Sequence, residues 1–424
     1  MKIGFIEAFS GEGENYVFYP LGLACIEAYL NEKLPEIDTK ICRSQEVLFN
    51  FEPDIVGISS TSPYYSKAVE IAKRAKKDLG AKVFLGGPHI SSLPESLDPI
   101  FDAGVTGEGE YTFFKIVKNI LENKDFTDTK GLVLKDDSGI THFTGKSEMI
   151  TDIDSLPFSK RKWSDTPYLH NILSSRGCPF KCKFCASAYI WQTVRFYSPQ
   201  RVADELKYLS DEFDVKLVTF LDDLFAVNLH RVDLLAEVVS FAKERQISFV
   251  STLRADNCSK ELTQTLFDMG VRYAHFGAES ASDKILSFLK GGQSSSKKNE
   301  EALINSHESG LHNTCSFIIG SPEEDEDDIN LTYNFLKNGL KDGIINEFLV
   351  APLMAFPGTY FWDYACEQGL IIPEKMDWKK LLISSNIFEP NNYIFLSEKI
   401  SLDRFLYHFN RFKELHDDFL SKKI

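Results

Sequence analysis

The stretch H-N-I-L-S-S-R-G-C-P-F-K-C-K-F-C, residues 170–185, decides the reading of this chain. An apolar run typical of a buried strand feeds straight into Gly177 and then into Cys178, Cys182 and Cys185. The spacing is C-x3-C-x2-C. Thiolates are the usual ligands of iron–sulfur clusters, and a complete 4Fe-4S site takes four of them. Three close thiolates hold three irons and leave the fourth open, and an open position separates a catalytic metal site from a structural one. The alternative is structural zinc, which commonly takes four ligands from two C-x2-C-like pairs. No second pair lies near in sequence, although a distant Cys or His would serve. The other cysteines, Cys25, Cys42, Cys258, Cys315 and Cys366, are scattered and read as core residues. A disulfide framework does not suit a large acidic chain of this kind.

Downstream of the cysteines, strand and helix patterns alternate. Strand-like runs fall at 170–176, 215–222, 247–254, 271–279, 313–320 and 345–352. Helical periodicity fills the gaps at 199–213, 232–244, 260–269, 296–310 and 327–339. Six such units imply a curved, partly closed barrel; a full eightfold barrel needs two more. The cysteine loop then sits at a strand's carboxyl end, where barrels gather reactive groups. Residues 375–424, rich in Phe, Leu and charge, are expected to form helices on the barrel.

Upstream, strand-like runs at 2–8, 37–43, 54–60, 82–87 and 103–107 alternate with helical patterns at 21–33, 64–79 and 110–123. Alternation of this kind predicts a parallel sheet with helices on both faces, a Rossmann-like α/β domain over residues 1–125. Residues 126–168 read as a hairpin at 131–146 followed by a linker, and 169–374 as the partial (β/α)6 barrel.

The chain has 424 residues, a formal net charge of −15 and 43% apolar residues. That length suits two or three domains at roughly 100–200 residues each. The acidic balance argues against a nucleic-acid groove. No run approaches the ~18 apolar residues of a membrane span, and the first residues lack the apolar stretch of a signal peptide. A cytoplasmic protein is expected.

C-x3-C-x-Φ-C, with Phe184 as the aromatic, resembles the signature of radical S-adenosylmethionine (SAM) enzymes. Segments SSRGCPFKCKFC, FLDDLF (220–225), FGAES (276–280), FIIGSPEED (317–325) and PLMAFPGT (352–359) resemble the branch that couples the barrel to an N-terminal cobalamin-binding domain. YPLGLACIEAYL (19–30), FLGGPH (84–89) and GEGE (107–110) look like the same branch, in the same order.

The resemblance implies roles. Cys178, Cys182 and Cys185 would ligate the 4Fe-4S cluster. Asp222 or Asp223 would meet the SAM amino group, or else cap the next helix. Arg254 would take the SAM carboxylate, for which an arginine fork is suited, unless it is a surface or structural arginine. Glu279 and Ser280 would meet the ribose or polar tail, unless Glu279 forms a buried salt bridge. Gly320 and Glu323 match the G-x-I-x-G-x-x-E element near adenine, although Ser316 replaces its first glycine and Gly320 also suits a simple turn. Small residues Ser59, Ser60, Thr61, Gly86 and Gly87 after two strands allow the close approach that cobalamin needs. The loop 11–13 adds a weaker glycine signal. The D-x-H-x-x-G cobalt-ligand motif is missing after the first strand. His89, the nearest histidine, suits a hydrogen-bonded structural role better than ligation.

The activity implied is cleavage of SAM to a 5′-deoxyadenosyl radical and methylation, through cobalamin, of an unactivated carbon in a small-molecule or peptide substrate. An electron donor such as flavodoxin or ferredoxin is the implied partner. A non-methylating ring contraction, cyclisation or oxidation remains the alternative. Methylthiolation would need three further N-terminal cysteines, and only Cys25 and Cys42 are there.

Overall fold

The computed structural model describes residues 1–8, 19–136, 138–161, 170–191, 193–382 and 393–421. The loop at 11–13 lies outside them.

Strands β1 (Lys2–Glu7), β2 (Asp38–Ile41), β3 (Ile55–Ser59), β4 (Lys82–Gly86) and β5 (Ala103–Val105) form a parallel sheet in the order β2-β1-β3-β4-β5. The order reverses between β1 and β3, and such a switch point opens a ligand crevice at the strand carboxyl ends. Strands β6 (Leu132–Lys135) and β7 (Thr141–Phe143) extend this sheet antiparallel beyond β5. Their hairpin turn is set by the Asp136 carboxylate, which accepts bonds from the Ser138 and Ile140 amides. The strands are nearly continuous apolar runs because helices cover both faces; the burial of Ile3, Phe5, Val56, Ile58, Val83 and Leu85 is close to complete.

The second unit begins with β8 (His170–Ile172) and the short β9 (Ser175–Arg176), which pairs antiparallel with β10 (Arg195–Phe196). Strands β11 (Leu217–Phe220), β12 (Ser248–Leu253), β13 (Val271–Glu279), β14 (His312–Ile319) and β15 (Glu347–Pro352) complete an all-parallel sheet in the order β8-β11-β12-β13-β14-β15. β8 and β15 are its two ends, so the six-stranded barrel is open, as the strand count predicts. Several helices at its mouth start on a polar side chain that accepts an otherwise unpaired amide: Asn228 for Leu229–Val238, Ser259 for Lys260–Met269, Ser282 for Asp283–Lys290 and Asp325 for Glu326–Lys341.

Three local readings are refined. The run 170–176 is broken, because Asp222 takes the Ser174 amide and hydroxyl out of the ladder. The helix read at 232–244 begins at Leu229 under the Asn228 cap and divides into Leu229–Val238 and Phe241–Glu244. Helix Asp283–Lys290 has only two turns, too short for its periodicity to stand out.

The barrel core includes Phe220, Phe249, Phe276 and Phe317, and is joined by Phe405 and Phe412 of the terminal helix Leu402–Ser421. A second apolar cluster combines Ala68, Ile71 and Ala72 of the first unit with Phe361, Trp362, Trp378 and Leu381 from beyond the barrel. The chain after β15 thus packs back on the N-terminal domain.

Candidate active site

The cysteine loop is anchored at its first residue. Gly177 has φ +92°, and a Cβ there would lie 2.7 Å from the Thr193 carbonyl, so only glycine fits. Its amide donates to Asp223 Oδ2 at 3.1 Å. Further on, the Lys183 amide donates to the Leu289 carbonyl and the Cys185 amide to that of Cys182. Cys182 is buried; Cys178 and Cys185 are half-buried. Desolvation, and then the charges of Asp223 and the other two thiols, push the Cys178 thiol up. Desolvation and Cys182 do the same to Cys185. Two thiols raised in this way beside a third fit a cationic iron–sulfur core, whose charge would pull them down. Among the described residues, no three or more His, Cys, Asp or Glu are arranged to hold a metal ion such as zinc; thiolates of a cluster each bind a different iron and need not converge on one point.

The two aspartates after β11 divide their work. Asp222 is buried and accepts from the Ser174 amide at 3.1 Å, from the Ser174 hydroxyl at 3.0 Å and from the Ser175 hydroxyl. Burial pushes its carboxyl up to about 6, against those bonds. Asp223 is exposed, holds the Gly177 amide and the Ser187 hydroxyl, and lines the main cavity.

Arg254, at the end of β12, is buried and committed. Nε and Nη2 grip Asp256 at 2.7 and 2.8 Å, Nη2 also reaches Ser294 Oγ at 3.0 Å, and Nη1 donates to Cys182 Sγ at 3.2 Å. The guanidinium lies 3.8 Å from the centre of the Phe180 ring. Glu279 adopts φ +62° at a register shift against β14. A non-glycine residue in this region is held by its surroundings, and such positions cluster at functional sites. Its carboxylate lies 3.7 Å from Lys290 Nζ. The Ser280 hydroxyl is taken up by Thr332 and the Ser282 amide. Gly320 has φ +89° and packs under Phe405, where a Cβ would lie 2.8 Å away. Glu323 is exposed, whereas Glu324 turns in to accept the Gly320 and Ser321 amides at 2.5 and 3.3 Å.

A cavity of about 390 Å³ opens at the carboxyl ends of β3, β4 and β5. Ser59, Gly86 and Gly87 line it; Ser60 and Thr61 do not. Ser60 is buried, with its amide on the Gly86 carbonyl and its hydroxyl on that of Thr61. Gly87 has φ +94°, and a Cβ there would lie 2.9 Å from the Ser60 amide. Gly22 and Gly86 face open space, since a Cβ on either would meet nothing nearer than 4.0 Å. Apolar Phe5, Leu23, Ile26 and Phe113 complete this wall. A glycine-edged, largely apolar crevice at a switch point fits the corrin and nucleotide of cobalamin. The opposite wall is formed by Leu173, Arg176, Ser187, Trp191, Leu221 and Asp223, from beside the cysteine loop. His89 is fully buried, with Nδ1 3.0 Å from Ser62 Oγ and Nε2 2.9 Å from Ser96 Oγ. Both nitrogens are engaged, and burial depresses the ring to about 3: a structural histidine.

Sequence reasoning missed the buried ion network between the two units. Arg176 Nη1 and Nη2 bind Glu108 and Glu110, each at 2.7 Å. Arg195 Nη1 binds the other Glu108 oxygen at 2.7 Å and the Ile150 carbonyl. The signals were present as GEGE and SSRG, but 66 to 87 residues separate the partners. Pairing at such a distance cannot be read from one sequence.

Fold and site thus define a two-domain α/β protein in which a glycine-edged crevice of the first unit opens onto residues beside a three-thiol loop of the second. Family models agree. The Radical SAM superfamily matches residues 172–336, and the B12 binding domain matches residues 15–117. An uncharacterized methyltransferase of Pyrococcus horikoshii is 31% identical over 90% of this chain and 85% of its own. The bacteriochlorophyllide d C-8(2)-methyltransferase of Chlorobaculum tepidum is 25% identical over 81% of this chain and 76% of its own. Among solved structures, the radical SAM methyltransferase TsrM of Kitasatospora setae, with cobalamin and a [4Fe-4S] cluster, has the same fold: TM-score 0.72 at 16% identity, over 87% of this chain and 75% of that one. The chain belongs to the radical SAM superfamily, in the branch with an N-terminal B12-binding domain. It is an enzyme of the 4Fe-4S cluster, SAM and cobalamin. No helix among the described residues is long and apolar enough to cross a membrane.

Proposed function

We propose that this enzyme methylates an unactivated carbon of a small-molecule or peptide substrate. One observation carries the reading: a single cavity is walled on one side by the B12-binding domain and on the other by residues beside the cysteine loop. When bound, the cluster and SAM supply a 5′-deoxyadenosyl radical and methylcobalamin supplies the methyl group. The chain's own task is placement, because radical and carbon must come to near contact. Cys178, Cys182 and Cys185 hold the cluster, and Asp223, exposed to the cavity, rather than the buried Asp222, meets the SAM amino group. Ser59, Gly86 and Gly87 seat the cobalamin tail. The largely apolar lining excludes bulk solvent, and with it solutes whose weaker C–H or S–H bonds would quench a radical. A one-electron donor of the flavodoxin or ferredoxin kind completes the system.

The test starts with anaerobic reconstitution of the cluster, addition of hydroxocobalamin and desalting. Near-stoichiometric cobalamin and 5′-deoxyadenosine formed under reductant are expected. Candidate substrates are then screened with SAM labelled in its methyl group. Label in a product supports methylation; a product without label replaces it by a rearrangement, cyclisation or oxidation.

A further inference from the structure

We propose that Arg254 is a partner of the cluster thiolate of Cys182, tuning the cluster and clamping its loop, and not the residue that grips the SAM carboxylate. The inference rests on the cluster reading above. A guanidinium has five N–H donors, and four of Arg254's are assigned. Nε and one Nη2 hydrogen form the parallel fork on Asp256, the second Nη2 hydrogen goes to Ser294, and one Nη1 hydrogen goes to Cys182 Sγ. One N–H remains, whereas a bidentate grip on a second carboxylate needs two side by side. The fork is locked from behind: Ser294 Oγ donates to Asp256 Oδ2 at 2.7 Å, and the Arg254 and Asp256 side chains are both buried. From the front, the guanidinium stacks on Phe180, two residues before Cys182. It therefore holds the loop at two points, by a ring face and by a sulfur.

A fixed cation bonded to a cluster thiolate favours the more negative, reduced state. Hydrogen bonds to the sulfurs are among the determinants of cluster potential. Arg254 thus makes the cluster easier to reduce, before SAM arrives.

Arg254→Gln combined with Asp256→Asn removes both charges without stranding either. Iron and sulfide content and the cluster's paramagnetic signal, measured on the reconstituted holoenzyme, test the cluster reading itself. The midpoint potential without SAM and the dissociation constant of SAM test this inference. Expected is an intact cluster whose reduced-to-oxidised ratio falls about tenfold at fixed potential, about 59 mV for a one-electron couple, with SAM affinity within about twofold of wild type. An unchanged midpoint with SAM binding weakened tenfold or more overturns the proposal and returns Arg254 to the SAM carboxylate. Arg254→Lys keeps a cation and serves where the double variant holds no cluster. Lysine cannot fork, so SAM affinity retained there supports the proposal, and SAM affinity lost with an unshifted midpoint overturns it.

Discussion

Single residues separate roles that the sequence left joined. Asp223→Asn is expected to weaken SAM binding while leaving the thermal midpoint near wild type. Asp222→Asn is expected to lower stability by roughly 1–3 kcal/mol, because it disturbs the buried bonds from Ser174 and Ser175. Equal SAM affinities in the two variants would remove Asp223 from the site. Glu324 offers a pH test. Burial raises its carboxyl from 4.5 to about 8 against the pull of the Gly320 and Ser321 amides. A folded-state pKa above the unfolded one gives stability that is complete below about pH 4.5 and lost as pH rises through about 8. Glu324→Gln cannot ionise, so its urea midpoint should fall less than that of wild type between pH 5 and pH 9; parallel curves would refute the assignment. The three cysteines were legible because their spacing is local. The proposed preference for Asp223 over Asp222 was not, because it depends on which side the turn after β11 presents to Ser174. Likewise the motif pointed to Glu323, but the fold turns Glu324 inward.

At the scale of elements, the parallel N-terminal sheet and the six parallel barrel strands followed from alternating periodicity, which needs only short windows; the strand order β2-β1-β3-β4-β5 did not, because it depends on which strands pair. Contacts between distant elements did not. GEGE and SSRG each read as local signatures, yet Glu108, Glu110, Arg176 and Arg195 form one buried network. Removing one partner strands the opposite charge away from water. Glu108→Ala, which strands Arg195 and leaves Arg176 with Glu110 alone, is therefore expected to cost about 3–5 kcal/mol in denaturant unfolding; a loss below about 1 kcal/mol would show the network to be solvated. The turn after β4 makes a different prediction. Gly87→Ala forces a side chain into φ +94° and against the Ser60 amide, a strain of roughly 1–3 kcal/mol. Cobalamin retention should drop while the cluster still assembles. Full retention would place the corrin elsewhere.

Across the whole molecule, the cavity belongs to neither domain alone. Its glycine edge comes from the first sheet and its far wall from beside the cysteine loop. A ligand filling it touches both units, so binding free energy becomes folding free energy for the pair. Cobalamin at a hundredfold excess over its dissociation constant should add about 2.7 kcal/mol, and a single unfolding transition should move upward as one. Two transitions, only one of which shifts, would confine the ligand to the N-terminal domain. That outcome also bears on the chain after β15, whose Phe361, Trp362 and Trp378 pack on the first unit. The sequence reading assigns Phe361 and Trp362 to the barrel unit and sets the chain after 375 on the barrel, whereas Trp378 packs on the first unit, since an apolar patch does not name the surface that covers it.

The buried pairing of Glu108 with Arg176 and Arg195 has a consequence for transplantation. Arg176 and Arg195 face each other across β9 and β10, and both counter-ions arrive from the other domain. A chimera that grafts this barrel onto a foreign cobalamin module inherits two cations with no anion unless the donor brings its own Gly107–Glu110 turn. The two modules are matched parts, and inheritance or engineering has to move lock and key together.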